Sequence, residues 1–311
     1  MRPLMFHRPW LFLLMLVPLS ALAAPPTAYV SAFNRLYRLD LVTAQATPIG
    51  HGIGFNDVEA IAFGPDGVLY GVADGTIGSG SSATDFLIRI DTTTGVGSLI
   101  GQMTALEQQG PNGQLDYGLA FTCDGKLWAS SDTTGRFWEI NPSNATTREV
   151  GNTGAPLSDI TARGNRLFAI GVTRGFDNPE QQALYRLDPA TAQATRIGSL
   201  GLPDILSSAG TDFDANGQLW ATLDSQPPDL NRASRLAKID LATGKATVVG
   251  SISGIIDNLS ARALAIGPAG ACSSNGTNGI GLATVPGPGL PALILLALMA
   301  TLSGVWRLRQ S

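Results

Sequence analysis

The richest chemistry in this 311-residue sequence is a set of carboxylates with one arginine: Asp57 and Glu59, Asp116 beside Tyr117, Asp159, Asp212 and Arg262. Brought together, such groups could bind a cation, a sugar or a cationic group; held apart, they would solvate a water-filled channel and cap loops. Two carboxyls at a suitable separation suffice for glycoside hydrolysis, and three or more converging within about 2.6 Å of one point would make a metal site. Other catalytic material is sparse. His51 is the only histidine outside the N-terminal segment, so a His-rich metal site or a His-dependent triad has little to draw on. No Gly-x-Ser-x-Gly occurs.

Whether those side chains meet depends on what carries them, and the carrier is a repeat. LYRLDLVTAQATPIG (36–50) returns as LYRLDPATAQATRIG (184–198) with three changes, and IRIDTTTGVGSLIG (88–101), WEINPSNATTREVG (138–151) and AKIDLATGKATVVG (237–250) are looser copies. Counted from Tyr37, Ile88, Trp138, Tyr185 and Ala237, the spacings are 51, 50, 47 and 52. A period near fifty implies a propeller or a solenoid. Within each unit apolar residues alternate with a solvent-facing Arg, Glu or Lys, which is strand periodicity. Asp40, Asp91, Asn141, Asp188 and Asp240 follow, each able to close an Asx-turn, and Gly95 and Gly244 suit a left-handed residue after it. A second strand then ends in glycine every time. Pro48 inside one of these predicts a sheet edge.

From the second repeat on, a strand–tight turn–strand unit precedes this hairpin, as in AIAFGPDGVLYGVAD and GTDFDANGQLWATLD. Each repeat is therefore four antiparallel strands, a propeller blade. Only one strand (28–32) precedes the first hairpin, and one strand (262–271) follows the last. Joined, the two fragments complete a blade and close the ring. The predicted fold is all-β, a five-bladed propeller, with a C-terminal helix of transmembrane type behind it. The unit resembles uncharacterised bacterial propeller repeats of the Leu-Tyr-x-Ile-Asp type and, more loosely, gluconolactonase and strictosidine-synthase propellers; this resemblance implies a fold and no activity.

The repeats also act as a filter, because a residue present in all five blades points to turn or packing chemistry. The aspartates closing the third strands fall to it. So does DFDANG (212–217), which mimics the start of a calcium loop but lacks the closing glutamate, with Leu223 in its place. No cofactor is expected; calcium is the one left open. The long connections (75–85, 102–116, 173–182 and 225–234) all fall on one face, where loops over a rigid scaffold carry binding residues. The seven residues named first stand at the centre of that face. SSDTTGRFW (130–138) is a loose, single match to a sialidase Asp-box. Cys123 and Cys272 sit on blades that are not neighbours; a disulfide and two inert thiols are both open.

The ends of the chain suggest an address. Arg2 and Arg8, an apolar run (10–19) and ALAA (21–24) read as a signal peptide, residues 1–23, cleaved after Ala23. The propeller takes residues 24–272, and a polar linker 273–284. Residues 285–311 open on Val285, Pro286, Pro288 and Gly289, continue as seventeen uncharged residues (290–306), and close on Arg307 and Arg309. This last segment resembles PEP-CTERM sorting signals, with Gly287 where the namesake glutamate would stand. The resemblance implies a sorting protease of exosortase type as partner and delivery through the inner membrane to the cell surface or extracellular matrix. A plain membrane anchor is the alternative. The body between these ends holds 16 basic and 24 acidic residues, a balance that argues against nucleic acid as a partner. The expected role is an exported binding or structural module for extracellular polysaccharide; the alternative is a secreted hydrolase or lactonase with an acidic, metal-binding channel mouth.

Overall fold

A computed structural model of the chain describes residues 27–76, 85–103, 117–173, 179–225, 232–256 and 259–267. The signal peptide with Ala23, the linker and the sorting segment with its Val285, Pro286, Pro288, Gly289, Arg307 and Arg309 lie outside the described residues. Among those described, no helix is long and apolar enough to cross a membrane, and a 3-10 turn at Pro179–Gln181 interrupts an otherwise all-β order.

The strands form five antiparallel sheets of four. Blade two is β4 (Phe55–Phe63), β5 (Leu69–Thr76), β6 (Phe86–Ile90) and β7 (Gly97–Gln102). Blade three is β8 (Tyr117–Phe121), β9 (Leu127–Ser131), β10 (Arg136–Ile140) and β11 (Thr147–Asn152). Blade four is β12 (Leu157–Arg163), β13 (Arg166–Gly171), β14 (Ala183–Leu187) and β15 (Ala194–Ser199), and blade five is β16 (Leu206–Phe213), β17 (Leu219–Ser225), β18 (Arg235–Ile239) and β19 (Ala246–Ser251). Blade one joins the two ends of the chain. Its inner strand β20 (Ala263–Gly267) pairs with β1 (Thr27–Ala32), followed by β2 (Arg35–Leu39) and β3 (Ala46–Ile49). The ring closes as the fragment count requires, and Pro48 lies on the outermost strand, where a missing N–H is tolerated.

One apolar cluster fills each of the five seams between blades. Tyr37 and Leu264 meet Trp220 and Leu236 between blades one and five, and Trp138 and Tyr117 meet Val72 and Leu87 between two and three. The inner strands also repeat a size rule. In register with the aromatic or bulky residue of the second strand (Tyr29, Tyr70, Trp128, Phe168, Trp220) stand Ala265, Ala62, Ala120, Thr161 and Asp212. Small side chains are needed because the five inner strands pack against one another around a short circumference.

The repeated hairpin turn owes its form to its first residue. Asp40 Oδ1 accepts from the amides of Val42 (2.7 Å) and Thr43 (3.0 Å), and Asp91 and Asp240 make the same pairs. Asn141 and Asp188 each accept the amide two residues on. Four residues after each, the chain takes a left-handed conformation: Gly95 and Gly244, as the composition suggests, but also Ala44 (φ 56°), Ala145 (φ 62°) and Ala192 (φ 63°). Alanine tolerates this at a cost of roughly 1 kcal/mol.

The glycine ending each outer strand is where that turn meets the preceding blade. A methyl group on Gly198 would collide with the Thr243 carbonyl, and one on Gly50 with the Thr94 carbonyl. On Gly101 it would lie 2.7 Å from the Asn144 carbonyl oxygen. Main-chain bonds then cross the rim, from Gly97 N–H to Ile53 (2.7 Å), Ala246 N–H to Leu200 (2.9 Å) and Ala46 N–H to Ser253 (2.8 Å). The near-identical sentences in the sequence are thus latches, each fixing one blade to the next.

Candidate functional site

The residues singled out by sequence separate into two groups. Asp159 and Asp212 are occupied with the backbone of neighbouring blades. Asp159, on β12, accepts the Thr211 amide of blade five at 2.6 Å, the Leu119 amide of blade three at 3.3 Å and its own neighbour Ile160 at 2.9 Å. Asp212, on β16, accepts the Ile266 amide of the closing strand at 2.7 Å, the Thr161 hydroxyl of blade four at 2.7 Å and the Phe213 amide at 2.8 Å. An innermost strand has an unpaired edge facing the axis, and a buried N–H there must find an acceptor. These two carboxylates supply it, stitching blades three, four, five and one. Burial holds the Asp159 carboxyl well above the usual carboxylate range against three amide bonds that pull it down, and nearby Asp212 raises it further. Burial likewise lifts Asp212 to about 6, opposed by its partners at Ile266, Thr161 and Phe213. The space left along the axis beside Asp212, Thr161 and Cys123 is about 30 Å³, room for roughly two waters and no ligand.

The second group gathers at the start of β4. The register shifts between Val58 and Ala60, so Glu59 is the extra residue of a bulge, a device that re-aims side chains. Asp57, in a positive-φ conformation (31°), falls opposite Asp74 on β5, between the pairs Asn56–Gly75 and Val58–Ala73. One carboxylate oxygen from each of Asp57, Glu59 and Asp74 lies within 4.8 Å of the other two. A divalent cation held by all three would take each oxygen at about 2.3–2.6 Å. Arg262, just before the closing strand, reaches Asp57 Oδ2 with Nη1 at 3.3 Å. Glu59 is 4% exposed. Three carboxylates beside one arginine form a compact acidic patch on the face that bears the long connections.

Sequence reasoning had Asp57, Glu59 and Arg262 but missed Asp74. Its signal was present: GVAD, ASSD and ATLD end second strands with aspartate in three blades. That recurrence reads as turn chemistry; β16 of blade five is bulged as well, but it sets Ser207 and Ser208 near Asp224 where β4 sets Asp57 and Glu59 near Asp74. Tyr117 is buried (1%) and packs edge-on against Trp138 at 6.2 Å in a seam. Asp116 lies outside the described residues. In DFDANG, Asp214 accepts from the amides of Asn216 and Gln218 and from Trp220 Nε1, so both aspartates of that stretch face N–H donors. Cys123 is disulfide-bonded, and the chain's other cysteine, Cys272, lies outside the described residues.

A second polar group surrounds the end of β17. Asp224 accepts from the hydroxyls of Ser260 (2.7 Å), Ser207 (3.1 Å) and Ser234 (3.3 Å). Asp204 pairs with Arg235 Nη2 at 2.6 Å and accepts from Ser225 Oγ at 2.5 Å. These bonds fasten the D–A and B–C stems of blade five, and no histidine or thiol stands among them.

A family model described as a repeat of unknown function, DUF6923, matches residues 34–226. No curated protein matches. Among solved structures, a chain of a nidogen/laminin complex aligns at 15% identity and a TM-score of 0.50, covering 79% of this chain and all of that one. A protein of unknown function from Bacteroides caccae aligns at 12% identity and 0.49, covering 78% and 99%. Virginiamycin B lyase from Staphylococcus aureus aligns at 16% and 0.39, covering 72% and 69%. At these identities the first likeness speaks to the propeller fold, and the two lower scores carry no argument.

Proposed function

The chain belongs to the DUF6923 repeat family, and we propose that it is an exported propeller acting as a binding or structural module for extracellular polysaccharide. The patch of Asp57, Glu59, Asp74 and Arg262 holds the ligand, and the polymer is not turned over. One observation carries this reading: among the described residues, the only group of three acidic side chains with oxygens within 4.8 Å of one another is Asp57, Glu59 and Asp74. A carboxylate pair accepts sugar hydroxyls and an arginine donates to ring and glycosidic oxygens. Residues 1–23 would export the chain, and residues 285–311 would hand it to an exosortase-type protease or leave it anchored in the membrane.

A hydrolase or lactonase is the second reading, favoured by the same convergence, since three carboxylates can hold a divalent cation that polarises a carbonyl. Against it, among the described residues no histidine or cysteine joins the three carboxylates, and His51 lies exposed in the β3–β4 connection. The test compares the wild-type chain with Asp57→Ala/Glu59→Ala/Asp74→Ala for binding of the host's exopolysaccharide. Hydrolysis of glycosides, esters and lactones is assayed alongside, with and without calcium. Loss of binding in the variant with no turnover in either protein supports the module. Turnover by the wild type that the variant lacks would establish the enzyme.

A further inference from the structure

The five seams are not equally closed. The glycine ending each outer strand meets the hairpin turn of the next blade, and a methyl group on Gly50, Gly101, Gly151 or Gly198 would stand within 3.3 Å of that turn. On Gly250, where blade five meets blade one, the nearest atom is Ala44 Cβ at 3.9 Å. The residue before each glycine repeats the difference. Ile49, Ile100, Val150 and Ile197 pack against the apolar clusters of their seams, whereas Val249 is 39% exposed. Over this looser seam, on the face of the tight turns, opens a cavity of about 610 Å³, within the usual size of small-ligand pockets. Leu39 and Leu41 of blade one and Trp220 and Val249 of blade five wall it.

The charges around this cavity are unequal. The carboxylates of Asp40 and Asp214, at its edge, accept from amides of their own turns and, for Asp214, from the Trp220 indole. Arg38 is in register with Tyr29 and turns with it toward blade two. Lys238, in register with Trp220, faces the cavity and places Nζ 4.9 Å from the indole centroid. In blade three Lys126 stands over Trp128 in the same manner, at 5.5 Å, but it is paired with Glu139 at 3.5 Å. Lys238 has no such pair among the described carboxylates. An apolar recess with one unpaired cation on its aromatic wall is complementary to an apolar ring that carries one negative charge.

We propose that this recess binds a small aromatic carboxylate, its ring against Leu39, Leu41 and Val249 and its carboxylate on the Lys238 ammonium. The site lies on the other face from the acidic patch and acts independently of it.

The test is calorimetric titration of the full-length protein in a nonionic detergent with naphthalene-2-acetate, read against detergent alone. Naphthalene-2-acetamide, of the same shape without the charge, is titrated alongside. Lys238→Met, which keeps an unbranched chain over the indole and removes the charge, is compared with Lys126→Met. Val249→Trp fills the recess. The acid should bind about tenfold or more tightly than the amide; Lys238→Met should abolish that preference, Lys126→Met should leave it unchanged, and Val249→Trp should weaken both ligands. No binding of the acid by the wild type, equal affinity for acid and amide, an equal loss in Lys126→Met, or unaltered binding in Val249→Trp would overturn the proposal. Binding of the acid should survive in Asp57→Ala/Glu59→Ala/Asp74→Ala, so failure here and failure at the acidic patch are distinguishable.

Discussion

Asp212 Oδ2 accepts the Ile266 amide at 2.7 Å, joining blade five to the strand that closes the ring. The counterparts of Asp212 on the other inner strands are Ala62, Ala120, Thr161 and Ala265, so this bond is peculiar to one blade. Asp212→Asn keeps the shape but turns an amide N–H2 toward N–H and O–H donors. A loss of about 2–3 kcal/mol in unfolding free energy is expected, read as a lower urea midpoint. Asp212→Ala should lose a similar amount, by leaving the Ile266 amide without its acceptor.

The same carboxyl sets a pH dependence. Its folded pKa of about 6 lies above the ordinary 3.8, so the folded state binds the proton more tightly than the unfolded chain does. The corresponding stability is fully present below pH 3.8 and is lost as the pH rises through 6. Going from pH 7.5 to 5 should therefore add about 1 kcal/mol from Asp212 alone, with Asp159 acting in the same direction. Asp40 and Asp91, whose carboxyls are lowered by the amides of their turns, and Asp240, lowered foremost by the Thr243 hydroxyl, act oppositely and lose stability as the pH falls below 3.8. Urea midpoints against pH should peak between about 4 and 5.5, and Asp212→Asn should flatten the alkaline side of the peak.

Two glycines at equivalent positions should differ. A methyl group on Gly198 collides with the Thr243 carbonyl, whereas on Gly250 its nearest contact is Ala44 Cβ at 3.9 Å. Gly198→Ala should cost about 2 kcal/mol or more, and Gly250→Ala should lie within about 0.5 kcal/mol of the wild type. Thermal midpoints of the two variants, measured side by side, decide whether the latch is made by close approach or merely by repetition.

Cys123 is disulfide-bonded, and Cys272 is the chain's remaining cysteine. A bond between them encloses most of blades three, four and five and the closing strand, a long loop whose removal should cost about 2–5 kcal/mol. Peptide mapping without reductant should recover one cross-linked pair carrying both residues. Cys123→Ser should lower the thermal midpoint, and reductant should lower the wild type to the same value.

Most of the fold was readable from the repeat. Alternation, the Asx residues, Pro48 and the two unpaired end fragments specify blades, edges and ring closure. The left-handed alanines were not readable, because Ala44, Ala145 and Ala192 carry no letter that marks such a conformation, and the latch that holds them is contributed by another blade. The site was half readable. Asp57, Glu59 and Arg262 group as the inner-strand entries suggested. Asp159 and Asp212 also lie on innermost strands but point at backbone amides 40 to 54 residues away. Amides are invisible in a sequence, so a carboxylate that serves them looks like one that awaits a ligand. Asp74 was hidden by its own recurrence.

Hydrogen exchange of the full-length protein with the host's exopolysaccharide tests whether the patch at the start of β4 holds the polymer without cleaving it. Slowed exchange is predicted at residues 55–60, at the end of β5 around Asp74 and in the segment leading into Arg262, with the length of the polymer unchanged after incubation. Unaltered exchange at all three places, or a shortened polymer, would contradict the account.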